Sequence, residues 1–204
     1  MSMVHPLDRA LLAASPLLPN LYGGLPEVAV GGKDFVGAAN GVYVRAATPA
    51  LRVCLPVAEG TLPFAPMGPA IIPANGPIPL ALVQQFIDWA ASTPAQEIAA
   101  VVEVHGQGYR LRRLLPASSG SGHVTYDDGQ VDDDALVMDL HSHGSHRAYF
   151  SDTDDQSDLS RRGPYIAAVV GQCGTANDVA LRVVLPPYLL PLRLQNLIDH
   201  GVIA

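Results

Sequence analysis

Two histidines one residue apart, His141 and His143, close an apolar run from Ala135 to Leu140; seven intervening residues later comes Ser151 and, three further on, Asp154. The run reads as a strand. Alternate strand residues face the same side, so the two imidazoles converge while Ser142 faces away. The loop that follows is long enough to return the Asp154 carboxylate to the same point. Two imidazoles, one carboxylate and a water make the open tetrahedral set of a catalytic zinc. A histidine pair on a strand is by itself more often structural than ligating; the serine and aspartate in this spacing tip the balance to metal. Asp152, Asp155 and Asp158 bring a calcium loop to mind, but the run lacks the central glycine and terminal glutamate of that design. HExxH is absent, which excludes a helix-borne zinc peptidase. His105, His123 and His200 have no partner spacing, and only His146 lies near enough to meet a ligand or a substrate.

The flanking elements must deliver these groups. Leu80 to Ser92 carries Leu82/Val83, Phe86/Ile87 and Ala90 at helical spacing, an amphipathic helix that stops before Pro94. Ile98 to Val104 is then a near-continuous apolar strand of the kind buried on both faces, with Glu97 at its mouth and Glu103 at its far end. After a turn at Gly106 and Gly108, Tyr109 to Leu115 reads as a strand. Ala117 to Gly122 reads as a flexible Ser/Gly loop, His123 to Tyr126 as a short strand and Asp127-Asp128-Gly129 as a turn. Ser151 suits a helix N-cap with Asp154 in the first turn, which predicts a short helix to about Arg161. Tyr165 to Val170 and Asp178 to Leu185 read as strands. Tyr188 to Ile198 reads as a closing helix weakened by Pro191.

In residues 1–77 the chemistry thins out. Arg9 to Ala14 reads as a short helix with Pro6 near its first turn and Pro16 ending it. Glu27 to Val30, Gly41 to Ala46 and Leu51 to Val57 are β-type runs, the last two joined as a hairpin. Lys33, Asp34, Arg45 and Glu59 stand isolated and read as surface residues. Six prolines between Pro63 and Pro79 make a stiff, extended connection. The expected division is a Pro/Gly-rich, hairpin-containing region over 1–77 and a second domain over 78–204.

The 204 residues are 49% apolar and 15% charged, a globular composition. A net charge of −7 argues against a nucleic-acid partner, which needs a basic stripe. Acid is concentrated at the candidate site: ten aspartates lie between Asp127 and Asp158, against one base, Arg147. That density favours a metal cation and a basic substrate; it equally suits a solvated acidic loop. Cys54 and Cys173 are far apart and form neither a disulfide framework nor a thiolate zinc site, which points to a reducing cytoplasm. The apolar stretch from Leu7 to Leu21 lacks a basic leader and is broken by Pro16 and Pro19, so no signal peptide is expected. No run reaches the ~18 apolar residues a membrane span needs.

The pattern His141-Ser-His143, seven residues, Ser151-x-x-Asp154 resembles the signature of the JAB/MPN metallopeptidases, also called JAMM. The family needs a glutamate upstream, after an amphipathic helix and at the head of a buried strand; Thr93 to Val102 resembles that segment and places Glu97 in the role, with Glu103 as competitor. Gly144 departs from the proline found in many members. The resemblance covers roughly residues 78–200 and implies the MPN fold, an α/β (α+β) arrangement with a mixed, partly curled sheet and flanking helices. It also implies a Zn2+ ion on His141, His143 and Asp154, Glu97 as general base and Ser151 as oxyanion donor. The implied reaction is hydrolysis of a peptide or isopeptide bond after a ubiquitin-like protein. The wording Asp-Leu-His-Ser-His-Gly and Phe-Ser-Asp-Thr-Asp-Asp-Gln-Ser-Asp, with the Pro/Gly-rich extension, is further similar to members of the bacterial PRTRC system. Neighbours there resemble ThiF-like activating enzymes and ubiquitin-like proteins. The alternative is a non-catalytic MPN module that binds such a partner; members of that kind usually lack the ligands.

Overall fold

The hairpin expected between residues 41 and 57 forms and is widened into a five-stranded sheet. The computed structural model describes residues 6–21, 24–120, 123–126 and 131–204. After helix α1 (Pro6–Ala14), strands β1 (Leu17–Pro19), β2 (Lys33–Ala38), β3 (Gly41–Ala47), β4 (Leu51–Glu59) and β5 (Ala70–Pro73) lie in that order. β1 pairs with β2 in parallel and the rest are antiparallel. Two expectations fail here. Glu27 to Val30 is not a strand, and Lys33–Ala38 is one. Nor are Asp34 and Arg45 isolated: facing each other across β2 and β3, they form a two-pronged ion pair, Nε to Oδ1 at 2.9 Å and Nη2 to Oδ2 at 2.7 Å, with Asp34 buried. The proline-rich connection contains β5, which pairs with β4 through Leu51 to Cys54.

Helix α2 (Leu80–Ser92) follows as expected, with Val83, Phe86 and Ala90 on its buried face. The second sheet has the order β13-β12-β11-β10-β6-β7, built from β6 (Ala99–His105), β7 (Gly108–Arg113), β10 (Leu136–Ser142), β11 (Tyr165–Gly171), β12 (Asp178–Leu185) and β13 (Tyr188–Leu192). Only β10 and β11 run parallel in it. The bland run 98–104 and its partners β10 and β11 occupy the centre, buried on both faces, as near-continuous apolar strands require. β8 (Pro116–Gly120) pairs with β9 (His123–Tyr126), so the first part of the expected Ser/Gly loop is instead a hairpin arm. The expected Asp127–Gly129 turn lies outside the described residues.

Helix α3 (Asp152–Ser160) is the short helix after Ser151, and α4 (Leu194–Asp199) closes the chain. The expected helix from Tyr188 is corrected. Tyr188–Leu192 is an edge strand on β12, where Pro191, lacking an N–H, is tolerated, and the helix begins only beyond Arg193.

One core cluster joins the two sheets: Val44, Leu51 and Val53 from the first pack with Phe86, Ile98, Leu140 and Ile166 around the second. Phe86 and Leu51 are essentially fully buried; truncating a ring so placed to alanine typically costs about 3–5 kcal/mol. Among the described residues no helix is long and apolar enough to cross a membrane.

Candidate metal centre

β10 delivers His141 near its end, between β6 and β11. One residue beyond the strand, His143 is held by its backbone N–H donating to Val170 O at 2.8 Å. The loop 144–150 then folds against the turn after β11: Gln172 N–H donates to His146 O at 2.6 Å, Cys173 N–H to Gly144 O at 2.8 Å, and Ala148 N–H to Asp178 Oδ2 at 3.0 Å. This close approach requires Gly171, since a Cβ there would lie 2.1 Å from Ala148 N and 2.3 Å from Arg147 C. Gly144 sits at φ +57° with its would-be Cβ 2.7 Å from Pro94 O. A proline cannot take that φ, so the glycine changes the turn itself and brings it against the segment that carries Glu97.

The loop ends at Ser151, which caps α3. Its hydroxyl accepts from Asp154 N–H at 3.2 Å, and the Asp154 carboxylate accepts from Ser151 N–H at 2.6 Å and from Ser151 Oγ at 2.7 Å, both at Oδ2. The reciprocal cap fixes the Asp154 carboxylate toward the histidines. Asp154 Oδ1 lies 3.3 Å from His141 Nε2, and Oδ2 lies 3.7 Å from His143 Nε2. One ligand atom from each of the three residues falls within 4.8 Å of the others. The imidazole ring centroids are 5.1 Å apart, and the Tyr149 ring packs T-shaped on His143 with centroids 4.7 Å apart.

Electrostatics follow from this crowding. Burial pushes the Asp154 carboxyl up, but the neighbouring His141 and the two Ser151 donors outweigh it and hold the group well below the usual carboxylate range. Burial pushes His141 down, yet Asp154, Asp139 and Asp158 together raise it. His143 is lowered, by burial first and by His141 second, against the opposing charges of Asp154 and Glu97. Glu97, the expected base, lies two residues before β6, whose first residue Ala99 pairs with His141. Glu103 lies at the other end of β6, buried and paired with Arg110 at 3.1 Å and Arg112 at 2.5 Å.

The donor set fits a zinc ion. His141 Nε2 is buried without a hydrogen-bond partner, although the carboxylate is close. A buried polar atom so placed, among two imidazoles and a carboxylate at mutual ligand distance, is what a divalent cation would satisfy. The sequence singled out His141, His143, Ser151, Asp154 and Glu97; the structure brings the first four together, and Glu97 precedes β6 at the strand end that faces His141. Sequence reasoning missed Ser142, Tyr149, Gly171 and Asp178. Only Ser142 carried a signal, since a polar residue facing inward between two histidines needs a partner.

Residues 79–184 match the family described as prokaryotic homologs of the JAB domain, and the chain belongs to that family. Its fold is the mixed JAB/MPN arrangement. Residues 5–72 match a domain of unknown function, DUF2016. Among solved structures, a JAMM protein described as having a metalloprotease-like zinc site in the proteasome and signalosome is 16% identical, with a TM-score of 0.38 over 58% of this chain and 94% of its own. A solution structure of protein DSY2949 from Desulfitobacterium hafniense is 12% identical, with a TM-score of 0.43 over 57% of this chain and 88% of its own. No curated protein matches the chain.

Proposed function

We propose that the protein is a zinc-dependent peptidase that hydrolyses a peptide or isopeptide bond at the C-terminus of a ubiquitin-like protein. The observation that carries this reading is the convergence of His141, His143 and Asp154, with the buried His141 Nε2 making no hydrogen bond although Asp154 Oδ1 lies 3.3 Å away. These three residues would hold the ion, which when bound would supply Lewis acidity and make a water acidic enough to give up its proton near neutral pH. Glu97, at the head of β6, accepts a proton from the attacking water and returns it to the leaving amine. The Ser151 hydroxyl, whose proton is given to Asp154 Oδ2, turns that proton to the carbonyl oxygen as negative charge develops there. Loss of one such donor typically costs a factor of about 10² to 10³. The aspartates around the site suit a substrate that carries a lysine. The resemblance to PRTRC proteins adds a ThiF-like activating enzyme as the partner that would make the conjugate in a bacterial cytoplasm.

The test begins with protein purified free of metal and reconstituted with zinc. Near-stoichiometric zinc is expected, with cleavage of C-terminal fusions of a ubiquitin-like protein. Glu97→Ala should lose at least about 10²-fold in kcat while Glu103→Ala keeps its rate. Failure to bind zinc, or full activity in Glu97→Ala, overturns the reading. A zinc-loaded protein that binds but never cleaves the fusions would instead be an MPN binding module.

A further inference from the structure

The base that this reading requires, Glu97, lies 44 residues before the first ligand, His141, in the chain. Something must hold Glu97 in register with His141 and His143, because displacement by about 1 Å can cost a reaction 10²-fold. The paired register of β10 and β6 ends at His141 opposite Ala99. One step further, Ser142 N–H still donates to Ile98 O at 2.9 Å. The return bond has changed: Ile98 N–H donates at 3.0 Å to the Ser142 hydroxyl. The strands diverge here, as β10 turns away into the His143 loop, and a side chain takes over where the ladder gives out. Ser142 is completely buried and Ile98 nearly so, which leaves no water to substitute for the bond. A second contact works in the same direction, the approach of Gly144 to Pro94 O on the other side of the Glu97 segment.

We propose that Ser142 is a positioning residue, whose hydroxyl fixes the backbone next to Glu97 and thereby sets the carboxylate over the metal site. The residue between the ligands thus joins two parts of the centre: its neighbours on either side hold the ion, and its own side chain holds the base in place. This rests on the peptidase reading, and its test separates the two.

Ser142→Thr and Ser142→Val have nearly the same shape and differ by the hydroxyl, so they are compared with Ser142→Ala, Glu97→Gln and the unaltered chain, each loaded with Co2+. Three readouts are taken: Co2+ stoichiometry, exchange of the Ile98 amide proton, and the Co2+-induced NMR shift of the Glu97 amide. The expected result is one Co2+ in every variant. In Ser142→Ala and Ser142→Val, Ile98 should exchange at least about tenfold faster and the Glu97 shift should move while that of Val169 does not. Ser142→Thr should restore both. On a C-terminal ubiquitin-like fusion, kcat should fall by about 10- to 100-fold at unchanged KM. The proposal is overturned if Ser142→Val keeps the Ile98 protection and the Glu97 shift, or if Co2+ is lost in step with them, which would make Ser142 a simple structural support. An unaltered chain that binds Co2+ and cleaves nothing refutes the peptidase, while the two NMR readouts still decide the role of Ser142.

Discussion

Arg182 lies over the ring of Phe150, its guanidinium carbon 3.7 Å from the ring centroid, and its Nε donates to Asp158 Oδ2 at 2.8 Å. Phe150 precedes the Ser151 cap and Asp158 is in the last turns of α3, so one arginine on β12 holds both ends of the helix that carries Asp154. Asp155 pairs with the same guanidinium, and Tyr165 OH donates to the other Asp158 oxygen at 2.7 Å.

Arg182→Leu should therefore destabilise the protein by about 3 kcal/mol, since it strands the Asp158 carboxylate in a nearly dry site. Zinc affinity should fall by at least about tenfold, because the helix supporting a ligand is no longer fixed. Urea denaturation and zinc titration check the two effects. Arg182→Lys should recover little of either, because a point charge cannot reproduce the fork or the stacking.

Glu103 gives a pH dependence. Burial raises its carboxyl, but hydrogen bonds and charge from Arg112 and Arg110 outweigh that and leave it below its ordinary value. A carboxylate lowered on folding contributes stability above its unfolded pKa of about 4.3 and loses it as the pH falls through the folded value. The gap in stability between the unaltered chain and Glu103→Gln should thus be constant from pH 7 to about pH 5 and shrink below pH 4. At pH 7 it should be about 1–2 kcal/mol, the lower part of the charged hydrogen-bond range, because Arg110 is half exposed. Urea midpoints across that range decide it.

Gly171→Ala tests the seat of the metal loop. A methyl group there meets backbone atoms of residues 146–148 at 2.1–2.5 Å, none of which can rotate away. The loop must shift, and His143 with it, so zinc affinity should drop by at least about tenfold. Circular dichroism should show the sheets intact, and calorimetric titration the weakened binding.

Chelation should lower the thermal midpoint and zinc should restore it. At free zinc a hundredfold above the dissociation constant the expected gain is about 2.7 kcal/mol. Asp154→Asn and His143→Ala should abolish the zinc-dependent part, which calorimetry in chelator and in excess zinc measures.

The centre of the molecule was legible because its signals are local. The His141/His143 alternation, the Ser151 cap and the unbroken apolar run after Glu97 each dictate geometry within a few residues, and each formed. What escaped needed distant partners. Lys33–Ala38 starts with two charges and reads as surface until Arg45 is placed opposite Asp34. Tyr188–Leu192 has helix-like apolar spacing, and only the free edge of β12 makes it a strand. Ser118 to Gly120 read as linker until His123 to Tyr126 paired with them. Arg182 could not be assigned at all, since its partners lie 24 and 27 residues away.

The core that Leu51 and Val44 share with Phe86 and Leu140 also bears on cooperativity. Neither sheet can open without uncovering the apolar face of the other, so the candidate metal ligands borrow rigidity from strands of the other sheet. A destabilising change in the first sixty residues should therefore register as weaker zinc binding at residues 141–154, some eighty or more positions further along the chain.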